Sequence, residues 1–299
     1  VSNDTQTNNT HPLITPFPTW TMRHPDSHTE TAPDGRTGVD ASAAKTALCI
    51  NRLRADDPLQ WLSEGWQDFL RAPFLSLFFG ACFVVMGHVL LLVAEKAPAY
   101  VMTLSAGWLL LGPLLCLGVY DISRQLQKGR KPALGHALFA WLPSAGKVAS
   151  FAAILLAVQW LWSRVSLALF AINFDGLPST ERALAALRTP DNLSFIIAYC
   201  AVGAVFAFLV FITSVIAIPM ILDRRTSPVA AAITSVKACL KNPLAMAIWA
   251  ALVTLLVLAA TLPWFLGLLV IGPVLGYATW HAYLSVVTPP THWHGGARA

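Results

Sequence analysis

Charge is scarce in this chain. Only 12% of its 299 residues are Asp, Glu, Lys or Arg, about half the roughly 25% of a soluble domain. Cysteine is scarce too: Cys49, Cys82, Cys116, Cys200 and Cys239 show no CxxC or finger spacing, which excludes a disulfide framework and a zinc ribbon. Phosphate-binding glycine loops, HExxH and GxSxG are missing, so nucleotide hydrolysis, zinc proteolysis and serine-hydrolase chemistry have no foothold.

What is present is apolar. Hydrophobic residues make up 56% of the chain, in runs longer than the roughly 18 residues that raise suspicion of a bilayer span. The reading is an all-α integral membrane protein with six transmembrane helices. The formal net charge of +5 then belongs to loops on one membrane face and does not mark a nucleic-acid surface.

Residues 1–48 are rich in Thr, Asn, Pro, Asp and Ser, without the layout of a signal peptide, and read as a disordered polar tail. Residues 49–72 read as an interfacial amphipathic helix: DDPLQWLSEGWQDFLRAP spaces Leu59, Leu62, Trp66, Phe69 and Leu70 helically. Asp57 serves as a cap, Pro58 takes the first turn and Pro73 closes the helix. The membrane domain covers 73–287, with spans expected near 74–94, 98–120, 146–166, 193–221, 244–262 and 264–287. Residues 288–299 form a second tail. Tight connections at Glu95–Pro98 and Leu262–Trp264 imply helix hairpins, three of which would make a threefold repeat. Three entry segments (APFLSLFFG, AWLPSAGKVASF, LKNPLAMAIW) each precede a span, and three later helices carry a proline before polar residues (LLGPLLCLGVYDISR, VIAIPMILDRR, VIGPVLGYATWHAY).

Lys and Arg sort to one side. Arg52, Arg54, Arg71, Arg124, Lys128, Arg130, Lys131, Lys147, Arg224, Arg225, Lys237 and Lys241 fall on it. Lys96, Arg164, Arg182 and Arg188 fall on the other. The positive-inside rule therefore places both termini in the cytoplasm.

Candidate chemistry gathers at that face. Pro273, Tyr277 and His281 are four residues apart and share a helix face. Gly276 admits a close neighbour there. Aligning the prolines of the repeat puts Asp121 level with His281 and Asp223 level with Tyr277, so Tyr120, Asp121, Arg124, Asp223, Arg224, Tyr277 and His281 form a candidate cluster. It serves either as a proton relay, lipid pocket or docking surface, or as an aromatic belt with Asp–Arg pairs tying helix ends. Three polar residues lie within or at the ends of spans: His88, expected to bond a carbonyl across a helix interface; Gln159, suited to an interhelical hydrogen bond; and Arg164, an interface anchor beside Trp160 and Trp162. His88 and His281 are expected at opposite membrane faces and cannot share one haem iron. The tail histidines His11, His24, His28, His292 and His294 lack a carboxylate or thiol partner, and no cofactor or metal is expected.

The order WLSEGWQDF, PFLSLFFG, GPLLCLGVYDISR, IPMILDRR, KNPLAMAIW, LVIGPVLGYATWHAY resembles an uncharacterised family of bacterial integral membrane proteins, domain of unknown function 2189, from about Asp56 to Val287. That family has His where this chain has Tyr277. Some members carry a cytochrome c oxidase label, although the histidine pattern of haem–copper chemistry is missing here. The resemblance implies a bacterial inner-membrane protein and association with respiratory complexes.

The expected function is a non-catalytic accessory or assembly subunit of an inner-membrane complex, with membrane lipid and integral membrane proteins as partners. The alternative is a small-solute or lipid transporter using the Asp/Arg/His cluster. No span holds two or more carboxylates, which disfavours a proton-driven pump. A membrane enzyme would need a nucleophile or metal site that the sequence does not offer.

Overall fold

Proline divides the membrane domain. The residue before a proline is pushed out of the helical region, while proline itself suits a helix's first turn. In the computed structural model, which describes residues 50–96, 101–173 and 193–287, α1 (Asp57–Arg71) ends at Ala72 with φ −134° and ψ 56°. Pro73 then opens α2 (Pro73–Lys96). The same break recurs at Asn242, φ −129° and ψ 55°, between α8 (Pro228–Lys241) and α9 (Pro243–Thr261). Between them lie α3 (Val101–Gln127), the short α4 (Leu134–Phe139), a 3-10 turn at Leu142–Ser144, α5 (Ala145–Asn173), α6 (Leu193–Ser214) and α7 (Ala217–Arg224); α10 (Leu268–Val287) follows α9. The described residues contain no strand. The expected tails, and the 167–192 connection beyond Asn173, lie outside the described residues.

Five helical stretches are long and apolar enough to cross a membrane: Pro73–Lys96, Leu134–Asn173, Leu193–Arg224, Pro243–Thr261 and Leu268–Val287. The remaining expected span, 98–120, falls on the 27-residue helix α3.

The contacts recur in a pattern. Helices consecutive in the chain pack in pairs: α2 with α3, α5 with α6, α9 with α10. Each short helix then lies on the pair before it, α4 on α3 and α8 on α6 and α7, and α1 closes the ring on α10.

At the centre stands α10. Its apolar window has the lowest mean hydropathy of the five, 1.2, yet 67% of it is buried by protein, against 6–22% for the others. Glycine explains how the neighbours come so close. A Cβ added at Gly80 would lie 1.9 Å from the Leu269 carbonyl oxygen, and one at Gly65 would lie 2.7 Å from that of Val274. Gly276 receives Val119, as its spacing suggested. In a bilayer, where lipid tails are as apolar as leucine, this backbone proximity replaces the hydrophobic effect as the source of helix association.

One expected boundary moves, and the structure adds detail elsewhere. The buried face of α1 is Trp61, Gly65, Asp68 and Phe69, while Leu59, Trp66 and Leu70 are exposed. The helix is therefore clamped to α10 through the first stripe and leaves the second uncovered by protein. The segments before AWLPSAGKVASF and LKNPLAMAIW carried no expected element. Both form helices, α8 beginning at Ser227, whose hydroxyl accepts the Ala230 N–H. The span expected over 193–221 lies within the apolar stretch Leu193–Arg224, whose helix breaks at Val215–Ile216: Pro219 donates no backbone hydrogen bond, and the Ile216 N–H turns to the Ser235 hydroxyl, 3.2 Å away. Finally, α10 starts four residues late, since Trp264 and Phe265 hold φ of 49° and 63°.

Candidate functional site

The polar residues at the proline-following ends of α3, α7 and α10 meet the short helices there. Three networks result, each centred on a carboxylate.

The first lies between α1 and α10. The His281 imidazole faces two acids: Nε2 is 2.8 Å from Asp68 Oδ2, and Nδ1 is 3.0 Å from Glu64 Oε2. A neutral imidazole donates once. Both contacts are hydrogen bonds only if the ring carries a proton on each nitrogen or one carboxyl holds the proton. Asp68 is almost wholly buried and also accepts from Ser123 Oγ of α3 at 2.5 Å and from Arg71 at 3.4 Å. One carboxylate thus joins α1, α3 and α10. One turn earlier on α10, the Tyr277 hydroxyl lies 2.8 Å from Ser76 Oγ, which donates to the Ala72 carbonyl at the α1–α2 break.

The second network is on α3. Asp121 is fully buried. Its Oδ1 accepts from Arg124 at 2.5 Å, and its Oδ2 from Gln125 at 2.6 Å and from His136 of α4 at 2.5 Å. These i,i+3 and i,i+4 partners carry α3 beyond the expected end at 120. The third joins α7 to α10: the Tyr283 hydroxyl donates to Asp223 at 2.7 Å and accepts from Arg224 Nε at 3.1 Å, while Arg224 also reaches the Val287 carbonyl. Trp280 links α3 to the third network. Its ring stacks on Tyr120 and touches Tyr283, and its Nε1 donates to Gln127 at 3.2 Å.

The seven cluster residues therefore share one end of the bundle but divide among separate carboxylates. His281 and Tyr277 answer to α1 and α2 rather than to Asp121 or Asp223. The sequence reading missed Glu64, Asp68, Ser76, Ser123, Gln125, His136 and Tyr283. A signal for Asp68 was available: with Trp61, Gly65 and Phe69 it follows the i, i+4, i+7, i+8 pattern of a buried face.

The three intramembrane candidates stand apart. His88 is exposed and bonds the Val84 carbonyl one turn back in its own helix, 3.0 Å away, rather than a carbonyl across an interface. Gly87 packs on Phe265, before the start of α10, so His88 lies roughly 20 Å from His281 at about 1.5 Å per residue along α10. That separation excludes a shared iron. Gln159 lines a groove of about 510 Å³ between α5 and α6. The Arg164 guanidinium lies 5.2 Å from the centre of the Trp160 ring, a cation–π contact suited to headgroup depth.

Chemically, Glu64, His281, Asp68 and Ser123 form a chain along which a proton can pass. Glu64 is part-exposed and Asp68 buried, so the chain runs inward from the surface. It ends at Ser123, about where α3 meets α1. The two carboxylates approach opposite ring nitrogens, so they cannot converge with His281 on one ion. Among the described residues no group of three or more His, Cys, Asp or Glu is arranged to hold a metal.

Neither a curated protein nor a solved structure matches this chain. A family model does match, over a narrower range than the quoted motifs: it covers α3 to α7 and leaves the GYATWHAY stretch outside. Residues 101–223 of this integral membrane protein match the model of DUF2189, a family described as a predicted integral membrane protein.

Proposed function

We propose that the protein is a non-catalytic accessory or assembly subunit of a larger inner-membrane complex, with a respiratory oxidase as the first complex to test. One observation carries this reading: the ionisable residues that might have done chemistry are used as braces between helices. Asp68, Asp121 and Asp223 each hold a short or broken helix against a long one, and the Glu64–Ser123 chain ties α1, α3 and α10 together. The outer faces of α2, α5, α6 and α9 are apolar and scarcely covered by the chain itself, which leaves them to lipid or to partner helices.

The topology proposed with this function has six spans, α3 being the sixth, arranged as three hairpins. The Lys- and Arg-rich end, where Lys241 reaches the Ile50 carbonyl and Arg224 the Val287 carbonyl, faces the cytoplasm of a bacterial cell with both termini.

The test is affinity isolation of the tagged endogenous protein in mild detergent, followed by mass spectrometry and a reduced-minus-oxidised visible spectrum. Stoichiometric recovery of other membrane subunits is the expected result, and haem bands would identify an oxidase. A lone protein would refute the accessory reading. Flux in proteoliposomes that Asp223→Asn and His281→Ala abolish, without unfolding the chain, would establish the transporter instead.

A further inference from the structure

Of the three seams between successive repeats, two are closed. Where α10 meets α1 and α2, glycines bring backbones together; where α3 meets α4, Phe79, Val119, Ile122 and Ala137 fill the space. The third seam, between α6 and the α8–α9 unit, is open. A cavity of about 310 Å³ lies there, lined by Phe208 and Phe211 of α6, Val236 and Cys239 of α8, and Met246 and Ala247 of α9. An apolar cavity of about 150 Å³ stays dry and takes up benzene, so this one has room for about twice that many carbon atoms, in an elongated form. Its wall presents almost no polar surface. Water gains little there, whereas hydrocarbon gains contacts along the whole length.

Charge selects the occupant's head. Helix α8 carries Lys237 and Lys241 and no acid, and Arg224 and Arg225 end the helix before it. Lys237 is exposed, one residue beyond Val236 of the cavity wall. Lys241 and Arg224 are engaged with the Ile50 and Val287 carbonyls, which leaves Lys237, beside the apolar slot, to match an anionic headgroup on an acyl chain. We propose that the α6–α8–α9 seam is a binding site for one anionic phospholipid, its acyl chain in the cavity and its headgroup at Lys237. This site is independent of the function proposed above.

Burial in that wall pushes the Cys239 thiol up to about 11, which makes it a slow nucleophile at neutral pH and a reporter of occupancy. The test uses the full chain reconstituted in vesicles of phosphatidylglycerol and phosphatidylethanolamine, then extracted in mild detergent. Native mass spectrometry should find one phosphatidylglycerol per chain. N-ethylmaleimide labelling, read at the Cys239 peptide, should quicken at least tenfold after delipidation. Ala247→Phe, which fills the slot from an exposed position, should lose the lipid; Lys237→Gln should keep a lipid but lose the preference for phosphatidylglycerol. A lipid-free parent, an Ala247→Phe chain with its lipid retained, or an unchanged preference in Lys237→Gln would overturn the proposal. So would a two-chain mass, which would make a second copy the occupant. Should Ala247→Phe fail to fold, labelling of the unmodified chain decides: a rate indifferent to delipidation overturns the site.

Discussion

Asp68 offers the sharpest test of the bracing argument. Replacing it by Ala removes the acceptor of the Ser123 hydroxyl and of His281 Nε2, and loosens Arg71, at a side chain only 2% exposed. Hydrogen bonds to charged groups contribute about 1.5–3 kcal/mol each, and breaking a buried pair by removing one partner costs roughly 3–5 kcal/mol. The Arg71 contact adds little, since its guanidinium is largely exposed. Because the two buried bonds share one carboxylate, their losses are not independent, and about 3–5 kcal/mol is the expected total. At about 2–4 °C per kcal/mol for a chain of this size, Asp68→Ala should melt roughly 6–20 °C lower. Tryptophan fluorescence in detergent would follow this, since Trp61 and Trp280 lie near the clamp. Asp68→Asn, which keeps the shape and an acceptor for Ser123, should lose less. A cycle pairing Asp68→Asn with His281→Gln should return a coupling of about 0.5–3 kcal/mol. If Asp68→Ala melts within 2 °C of the parent, the network is decoration and the bracing argument fails.

Gly80→Ala should destabilise by about 1–3 kcal/mol, because its methyl meets the Leu269 carbonyl. Gly146→Ala, with nothing within 4 Å, should be neutral or stabilising by up to about 1 kcal/mol in the same melting assay. Ser235→Ala should cost about 1–2 kcal/mol by orphaning the buried Ile216 N–H, and faster hydrogen exchange around the α6–α7 break would report it. Tyr277→Phe and Ser76→Ala each remove the same hydroxyl pair, so each should cost about 1 kcal/mol and the double variant little more. His88→Leu should change stability by less than about 0.5 kcal/mol, since His88 bonds only its own helix and is exposed; a larger loss would assign it an interhelical role.

Hydropathy made the membrane class and most helix positions legible, because length and apolar content are local properties. The prolines 73 and 243 marked real boundaries for an equally local reason. What escaped was which face of a helix meets which neighbour. Leu59, Trp66 and Leu70 mark an apolar face that lipid accepts as readily as a protein core does, so their spacing did not reveal that Trp61, Gly65, Asp68 and Phe69 form the face packed on α10. The acids that His281 meets sit 213 and 217 positions away, and the proline alignment that proposed Asp121 and Asp223 carried no information about α1. Helix α8 was missed because its Ala, Thr and Ser content looks loop-like until Ser227 and Pro228 are read as a helix start.

The clamp between Asp68 and His281 also sets an order of events. A ribosome adding roughly 5–20 residues per second completes Asp68 about 10–40 s before His281 exists. For most of that interval α1, α2 and α3 are complete while α10, the helix that fills the space between them, is not. Gly65 and Gly80 then face an unoccupied groove, and Asp68 lacks its counter-charge. Closure of the ring therefore waits for α10. An insertase or chaperone that shelters an unpaired carboxylate at the bilayer surface would act during that wait.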